Sequence, residues 1–427
     1  MRNPKHIKKI LIHPNSTHID DFIILANQLS KNFEVFFFNW NKSLSLHKKR
    51  LKKDIKIITY NNPIYWNISE YLKNYSSISI FKKSFLFIKD YFCIKKIYQQ
   101  NRFDMLLANS DRDTSILLNL CKQAKSTKSK VILNCNSRCA DIETLVYRRI
   151  NNRGFKFVKG NIFTKYFKNQ FIKFSNDNLI SFYPLNELFL FEVLKLLPEN
   201  PWVIGGGNSD YVFVENKNIK KYFINLKCRT KKLISIGSNN SDILHSEIKI
   251  DELKKKLKLK NNSKILILLL SHFYEHGDLS YKEHKSHILE ICSFLNKIKK
   301  EGRFQILISL HPKQKYKNYK WIENELKIKI SKFKLSEIIK IGDMIISELP
   351  SAVSDWANLF KIPYIVINKN HKKLENPLFF NFIYCKSFEE GKNTIKKVLS
   401  KSKKISLINK TMKNSIVNKE KFLKKFL

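Results

Sequence analysis

The sequence predicts an α/β protein with parallel sheets in two domains, and three observations support this class. The stretch Ile341–Val366 contains the apolar run Met344–Ile346, a polar turn, a helical pattern over Val353–Leu359 and a second apolar run from Tyr364. That order of strand, turn, helix and strand is the repeating unit of a parallel sheet. Other apolar runs also end in polar clusters, and a length of 427 residues favours two sizeable domains over one.

The first domain opens with a predicted βαβ unit. Ile10–Ile12 and Val35–Phe38 are its strands, and its helix runs over roughly 18–29. His13 follows the first strand, and Asp20 lies in the first helical turn, where a negative charge suits the helix dipole. No GxGxxG follows the strand, so the sequence does not support a dinucleotide site of the usual Rossmann kind.

Polar clusters follow two further predicted strands of the first domain. Asn109–Thr114 comes after the apolar run Met105–Ala108, and Asn134–Ser137 comes after the next apolar run. Ligands of open α/β sheets bind outside the carboxyl ends of the strands, so both clusters mark a candidate site. Asp111 and Asp113 are most simply interpreted as caps of the following helix, with catalysis as the alternative.

Three adjacent glycines, Gly205–Gly207, occur in a chain that has only ten, and they predict a turn with special backbone requirements. We interpret this turn as the end of the first domain or part of the hinge, with phosphate binding as the alternative. The expected domains are therefore 1–200 and 201–393, with Tyr211–Val214 as a strand near the start of the second. Residues 394–427 are expected to form a basic helical tail.

Two strongly apolar strands of the second domain end in loops that contain histidine. Ile265–Leu270 leads into Ser271–Asp278, and Gln305–Leu310 leads into the pair His311-Pro312. The histidines and acids of the first loop lack the spacing of a metal motif such as HExxH. The one Asp-x-Asp in the chain, Asp111-Arg112-Asp113, lies in the first domain. The sequence therefore favours a site without a metal ion.

The formal net charge is +44, from 80 Lys and Arg against 36 Asp and Glu. Lysine is spread along the chain beside abundant Ile, Asn and Phe, which is typical of composition bias in an A+T-rich genome. A surface this basic also attracts anionic lipid and other polyanions. The chain has no helix-turn-helix, zinc-finger or RNA-binding signature, so nucleic acid is not the expected partner.

Two stretches combine basic and aromatic residues, Tyr71–Gln100 and Gly154–Phe174. The first is predicted as a long helix whose apolar residues pack in the core, with a membrane-facing surface as the alternative. The second is interpreted as a solvated basic surface, with contact to a polyanionic acceptor as the alternative. Taken as basic aromatic helices, and together with the lysine-rich tail, they favour a peripheral position on the anionic inner face of the plasma membrane.

Seven cysteines are scattered without CxxC spacing, which is typical of reduced thiols in the cytoplasm and not of a disulfide framework. The basic residues Met1–Lys9 are followed by an apolar run of only Ile10–Ile12, so no signal peptide is predicted. The longest apolar runs fall short of the ~18 residues of a spanning helix. The expected location is cytoplasmic, with a peripheral position on the membrane as the refinement.

Four landmarks of the second half occur in a familiar order. They are Ile236–Leu244, Leu270-Ser271-His272, Leu310-His311-Pro312, and Ser347–Ser351 followed by Asp355. In this order they resemble the carboxyl-terminal domain of CDP-glycerol glycerophosphotransferases and related capsule and surface-polysaccharide transferases. The resemblance covers roughly 211–368. It implies a GT-B fold, in which two Rossmann-like domains with parallel sheets face a central cleft and the second domain holds the nucleotide donor.

The family pattern is kept at some positions and changed at others. Gly237 stands at the glycine of the first motif, Ser271 stands at the threonine of the second, and the His311-Pro312 pair is intact. The arginines of the first two motifs are absent, and the family's first-domain His-Gly corresponds here to Asn134–Ser137. The donor-site residues that the resemblance implies are Gly237, Ser271, His272, His311, Pro312, Glu348, Ser351 and Asp355.

Transfer from a nucleotide donor builds negative charge on the leaving phosphate, so the site needs hydrogen-bond donors fixed at that phosphate. His311 at a strand end and Ser351 at a helix start suit this role, and Glu348 suits the ribose or base. The acceptor hydroxyl needs a general base from the facing domain, for which the candidates are His13, Asp20, Asp111 and Asp113. We expect a metal-independent transferase without an organic cofactor, with His311, Asp111 and His13 as catalytic candidates.

The donor and the reaction stay open at this point. The His-Pro pair also occurs in GT-B sialyl- and Kdo-transferases that use CMP-sugars, so the expected partners are a nucleotide-sugar or CDP-linked donor and a glycan or lipid-linked acceptor. The stretch around Met105–Ser137, with FDMLLANSDRDTS followed by a strand and an Asn-Ser-Arg turn, also resembles nucleotide-sugar 2-epimerases such as UDP-N-acetylglucosamine 2-epimerase. The second-domain glycine pair of those enzymes is missing from Ser347–Ser351. A catalytically silent GT-B protein that binds glycan or a protein partner is the third alternative, suggested by the absent arginine and histidine.

Overall fold

The computed structural model divides the chain into two compact units, the first formed by Met1–Asn239 with Asn414–Leu427 and the second by Asn240–Lys413. The structure describes residues 7–14, 19–39, 48–60, 80–112, 115–134, 142–150, 153–158, 160, 162–174, 178–214, 217–236, 250–260, 263–276, 279–301, 304–349, 353–368, 382–401 and 414–425.

The strands, in chain order, are β1 (Lys9–Ile12), β2 (Glu34–Asn39), β3 (Lys56–Thr59), β4 (Met105–Ala108), β5 (Lys130–Asn134), β6 (Lys156–Val158), β7 (Phe171–Lys173), β8 (Asn178–Ser181), β9 (Tyr211–Val214), β10 (Leu233–Ser235), β11 (Lys264–Leu269), β12 (Phe304–Ser309), β13 (Lys329–Ile330), β14 (Met344–Ser347), β15 (Tyr364–Ile367) and β16 (Ile383–Cys385). The helices are α1 (Ile19–Leu29), α2 (Ile80–Asn101), α3 (Ser115–Ser126), α4 (Ile142–Ile150), α5 (Ile162–Tyr166), α6 (Leu185–Val193), α7 (Lys217–Asn225), α8 (Ile250–Lys256), α9 (Phe273–His276), α10 (Tyr281–Glu301), α11 (Tyr316–Tyr319), α12 (Trp321–Leu326), α13 (Leu335–Ile338), α14 (Val353–Leu359), α15 (Phe388–Lys401) and α16 (Asn414–Lys424).

A seven-stranded sheet forms the first unit, with the order β10-β9-β5-β4-β1-β2-β3 and every neighbouring pair parallel. Its strands are largely apolar because both faces of the sheet are covered. On β4, Leu106 and Ala108 belong to the core on one face, whereas Met105 and Leu107 belong to the core on the other. The order reverses between β1 and β4, so the carboxyl ends of these strands form a topological switch point.

A six-stranded sheet forms the second unit, with the order β13-β12-β11-β14-β15-β16, and it is also parallel throughout. Leu266 and Leu268 of β11 face one core, and Ile265 and Ile267 face the other. The order reverses between β11 and β14, which gives this unit its own switch point. The predicted fold class, two α/β domains with parallel sheets, is confirmed.

The division of the chain differs from the expected boundary at 200/201. β9 and β10 belong to the first sheet, where Tyr211 of β9 pairs with Ile132 of β5. The units divide between Asn239 and Asn240 instead. The turn at Gly205–Gly207 therefore lies inside the first unit and is not a hinge. The sequence alone could not distinguish the two, because tight turns and flexible linkers both use glycine.

The predicted basic tail, 394–427, divides between the two units. Its first residues belong to α15, whose Ile395 is buried in a core of the second unit. α16 belongs to the first unit, where the Phe422 ring packs edge-on against Tyr211 at 5.2 Å and Phe213 at 5.4 Å. The final helix thus belongs to the first unit.

A three-stranded antiparallel sheet, β6-β8-β7, adds to the first unit. The stretch Gly154–Phe174 forms β6, α5 and β7, so its interpretation as a basic helix is wrong. Phe157 and Phe171 lie on the outer strands with ring centroids 5.0 Å apart in an edge-to-face contact. Aromatic residues pack well on such pleated surfaces, and this preference outweighs the helical one here.

Cys93, Cys121, Cys228, Cys292 and Cys385 are free thiols. Burial raises the pKa of Cys292 to about 12, so this thiol is protonated and unreactive at neutral pH. No helix of the described ranges is both long enough and apolar enough to cross a bilayer.

Candidate functional site

The candidate site lies at the carboxyl edge of the six-stranded sheet. Leu269 at the end of β11 pairs with Ser309 of β12 on one side and with Ser347 of β14 on the other, so the three strands end level. The residues that follow them leave the sheet side by side at the switch point. These residues are Ser271 and His272 after β11, His311 after β12, and Glu348 after β14. They are four of the residues that the sequence predicted for donor binding.

His272 and His311 form the centre of this cluster. Their imidazole rings stack with centroids 3.7 Å apart and an angle of 12° between the planes. Both side chains are partly exposed, and Pro312 beside them is exposed. The sheet therefore presents two adjacent imidazoles to solvent at the strand ends, which is where α/β sheets bind ligands.

Gln314 ties the two histidine-bearing segments together, although the sequence reasoning did not identify it. Its side chain is buried, and its Oε1 accepts a hydrogen bond from the His311 backbone N–H at 2.7 Å. Its Nε2 donates to the Ser271 carbonyl at 3.0 Å and to the Tyr319 hydroxyl at 3.2 Å. The Tyr319 hydroxyl donates in turn to Glu275 at 2.6 Å. This one amide therefore fixes the spacing of the strand ends that carry the stacked rings.

The tautomer of His311 follows from its own turn. The Lys313 backbone N–H donates to His311 Nδ1 at 3.2 Å. A backbone N–H is always a donor, so Nδ1 of a neutral His311 is the acceptor and Nε2 carries the proton. The Nε2–H group can therefore donate a hydrogen bond to a phosphate oxygen, which is the role that the sequence predicted for this residue.

Glu348 at the end of β14 pairs with a histidine that the sequence reasoning missed. Its Oε1 lies 3.2 Å from Nδ1 of His287 on α10, and both side chains are largely buried. An ionised carboxylate can only accept, so Nδ1 of His287 is the donor. The turn behind Glu348 is fixed by Ser347 and Tyr364, whose hydroxyls lie 2.7 Å apart and both approach the Leu349 carbonyl.

His284 lies one helical turn before His287 and is buried against two aromatic rings. Its ring meets Phe273 and Tyr319 edge-on at 6.2 and 6.0 Å. Burial lowers the pKa of His284, and the nearby carboxylates of Glu275 and Glu348 oppose this shift. The ring is therefore neutral at pH 7.

Three predicted donor-site residues cannot be assigned from the structure. Gly237 and Ser351 lie outside the described residues. Asp355 lies in α14, and its side chain is likewise outside the described set. Their roles stay predictions that rest on the sequence.

His13 lies at the switch point of the first sheet, directly after β1. Its backbone N–H donates to the Leu107 carbonyl of β4 at 2.8 Å, and its ring stacks on Phe38 at 5.8 Å. Burial lowers its pKa from 6.5 to about 3, although a hydrogen bond with its own backbone acts the other way. His13 is thus neutral at physiological pH, and such a low pKa makes it a weak general base.

Asp111 has a structural role that explains the three glycines. Its Oδ1 accepts from the Gly205 N–H and its Oδ2 from the Gly207 N–H, both at 3.0 Å, and the Ser209 N–H also reaches Oδ2 at 3.4 Å. A Cβ on Gly206 would lie 2.2 Å from the Asn200 carbonyl oxygen. Asp111 is 1% exposed. Both of its oxygens are occupied by backbone donors, so we assign it to the glycine turn and not to catalysis.

The two remaining candidates for the general base are Asp113 and Asp20. Asp113 lies outside the described residues, and so does the side chain of Asp20. Within the described ranges, no three His, Cys, Asp or Glu side chains come together as metal ligands would.

Comparison with known proteins gives a likeness of fold. No protein-family model matches the chain, and no curated protein matches it by sequence. The UDP-GlcNAc 2-epimerase from Methanocaldococcus jannaschii superposes with a TM-score of 0.57 at 12% identity, covering 98% of this chain and 99% of that one. A glycosyltransferase from Rickettsia africae gives 0.50 at 15% identity, with 98% and 93% covered. The Anabaena protein HepE, solved with UDP and glucose, gives 0.52 at 12% identity, with 98% and 99% covered.

At these identities the superpositions establish the fold. Both units of this chain are spanned by each match, so the GT-B-like fold that the sequence implied is confirmed. The resemblance to CDP-glycerol glycerophosphotransferases finds no support from a family model.

The first prediction concerns Gln314. Gln314→Leu leaves the part-buried His311 N–H and the buried Ser271 carbonyl without their partner, so we expect the free energy of unfolding to fall by about 1–3 kcal/mol. The imidazole NMR signals of His272 and His311 should also move, because their spacing is no longer fixed. Lys315→Leu, at an exposed neighbour, is the control and should change stability by less than about 0.5 kcal/mol. Unchanged imidazole signals in Gln314→Leu would show that the amide does not position the rings.

The second prediction concerns the buried imidazole of His13. Between pH 6.5 and about 3 the unfolded chain binds a proton that the folded protein does not. Stability therefore falls as the pH falls through this window, by about 1.4 kcal/mol per pH unit from this residue. We expect urea unfolding of His13→Gln to depend less steeply on pH between 6.5 and 4.5 than that of the wild type. Identical slopes would mean that His13 titrates normally.

Proposed function

We propose that this protein is an enzyme that acts on nucleotide-activated sugars and holds the donor phosphates at the carboxyl edge of the second sheet. The observation that supports this most is the level ending of β11, β12 and β14, which brings His272, His311 and Glu348 together at a switch point. Two imidazoles beside a carboxylate suit a nucleotide, which has phosphate groups at one end and a ribose and base at the other. The imidazoles match phosphate oxygens, and the carboxylate matches hydroxyl or base N–H donors.

The reaction that we propose is transfer of a sugar to an acceptor hydroxyl. The acceptor oxygen forms a bond to the anomeric carbon while the bond from that carbon to the donor phosphate oxygen breaks. The acceptor proton leaves to a base, and negative charge collects on the departing phosphate. His311 Nε2–H stabilises that charge as a fixed donor, without reorganisation during the reaction. Transfer of a polyol phosphate from a CDP-linked donor is the variant that the sequence resemblance adds.

The proposal extends to the acceptor and the location. A surface-polysaccharide or lipid-linked glycan acceptor agrees with the capsule and surface-polysaccharide transferases that the motifs resemble. We propose a cytoplasmic enzyme that uses neither a metal ion nor an organic cofactor, with the nucleotide donor as its substrate. His311 is the catalytic residue that the geometry supports, and Ser271 contributes its carbonyl to the Gln314 amide that positions it.

A second candidate function is 2-epimerisation of UDP-N-acetylglucosamine. It is favoured by the superposition on the Methanocaldococcus jannaschii UDP-GlcNAc 2-epimerase over nearly the whole chain. A third candidate is a catalytically silent protein that binds glycan or a partner. The absence of the family arginines from the sequence motifs favours this candidate.

The test is a donor assay with UDP-, CDP- and CMP-linked donors, run with and without a lipid-linked acceptor. A transferred product supports the transferase, and a free 2-epimeric sugar supports the epimerase. Consumption of the donor without either product would mean that the protein only hydrolyses the donor. A protein that consumes none of the donors and binds neither UDP, CDP nor CMP would contradict the proposed enzyme.

The third prediction is that His311→Ala lowers turnover by ~10²-fold or more, because the leaving phosphate loses its fixed donor. Lys317→Ala, at an exposed position on α11 in the same unit, is the control and should retain full turnover. Equal turnover in the two variants would remove His311 from the mechanism.

A further inference from the structure

One side of α2 exposes large apolar side chains. Phe85, Ile88 and Phe92 are 68%, 39% and 59% exposed, and their spacing of three and four residues puts them on one face of the helix. We call these three residues the α2 face. The opposite side of the helix is buried at Ile94 and Tyr98. The expectation that the apolar residues of this helix pack in the core is therefore wrong for the α2 face.

Two neighbouring helices of the same unit, α5 and α6, also expose apolar side chains, although α6 packs against the other side of α2. Phe87 of α2 contacts Phe191 of α6 at 5.6 Å, and Phe189 of α6 contacts Phe163 of α5 at 5.2 Å. The exposed apolar side chains that these two helices add are Ile162, Tyr166, Phe189 and Val193. Scattered exposed apolar residues are ordinary, but three large ones on a single helix face, as on α2, mark an interaction surface.

The charges around the α2 face are almost all positive. Lys89, Lys95 and Lys96 are exposed on the same helix. The only acid of α2, Asp90, is 1% exposed and bonded to the Tyr60 hydroxyl. Among the described side chains of α5 and α6, Glu192 is the one exposed acid. An apolar stripe flanked by lysines is the pattern of a helix that lies in the interface of an anionic bilayer.

We propose that the α2 face docks this protein onto a membrane surface that contains anionic lipid. The rings of Phe85 and Phe92 enter the boundary between headgroups and acyl chains, while the lysine ammonium groups reach the lipid phosphates. The same face is a poor site for a second copy of this chain, because a symmetric contact would bring like-charged lysines together. It is also a poor site for most proteins, since lysine is depleted from protein interfaces. This inference goes beyond the proposed function and does not rest on it.

The test is co-sedimentation of the full-length protein with vesicles of phosphatidylcholine alone and of phosphatidylcholine with phosphatidylglycerol. We expect binding to the mixed vesicles only, weakened by added salt. The double variant Phe85→Ser with Phe92→Ser should lower the partition coefficient by about tenfold or more, because its apolar contact is lost. Lys89→Glu with Lys96→Glu should lower it to a similar extent.

Two controls distinguish docking through the α2 face from non-specific binding to vesicles and from misfolding of the variants. Ile250→Ser removes an apolar side chain of similar exposure from the second unit, and it should sediment with the mixed vesicles as the wild type does. Thermal unfolding of each variant should match the wild type, because every substituted side chain is exposed.

Three outcomes would overturn the proposal. Undiminished binding of the Phe85 and Phe92 variant would mean that the overall charge of +44 suffices and that the α2 face does not dock. Equal recovery with neutral and mixed vesicles would exclude an anionic surface. A wild-type dimer that dissociates in the double variant during sedimentation velocity would assign the face to a second copy of the chain.

Discussion

Parallel pairing in register is the constraint on which the candidate site depends. Leu269 pairs with both Ser309 and Ser347, and the strand order reverses at β11. These two facts together bring three loops, distant in sequence, to one edge of the sheet. A slip of one residue in either pairing would move a strand end along the edge and turn its apolar side chains to the wrong face. The two apolar cores that cover the sheet therefore also fix the positions of the histidines.

Buried polar groups complete the positioning that the strands begin. In the second unit Gln314 joins the segments of Ser271 and His311, and in the first unit Asp111 holds the glycine turn through backbone N–H groups. In both cases a buried side chain makes hydrogen bonds to backbone groups. Leaving these groups unpaired would lower the stability of the fold. Both units thus use a buried polar residue next to a switch-point loop to set the backbone there.

The strands were predictable because each is a short apolar run bounded by polar or turn residues. β4, β9 and β15 have the bounds that their sequences indicate, and the clusters after β11, β12 and β14 lie where polar residues at strand ends predicted them. Gln314 and His287 were not predictable, since their partners are set by tertiary contacts that leave no local pattern. The same holds for the α2 face, because this helix has apolar residues all round its axis and its sequence does not reveal which side is covered. Asp111 could be recognised as a candidate, but its glycine partners lie 94 and 96 positions away.

The central claim is that the stacked imidazoles at the second switch point bind a nucleotide diphosphate. The most direct measurement is NMR of the protein with ¹⁵N-labelled histidine during titration with UDP, with signals assigned through His272→Gln and His311→Gln. The account predicts that the imidazole signals of His272 and His311 shift together and saturate at one dissociation constant, while the buried His13 signal stays in place. Saturable UDP binding that leaves both signals unmoved, or no binding of UDP, CDP or CMP at all, would contradict it.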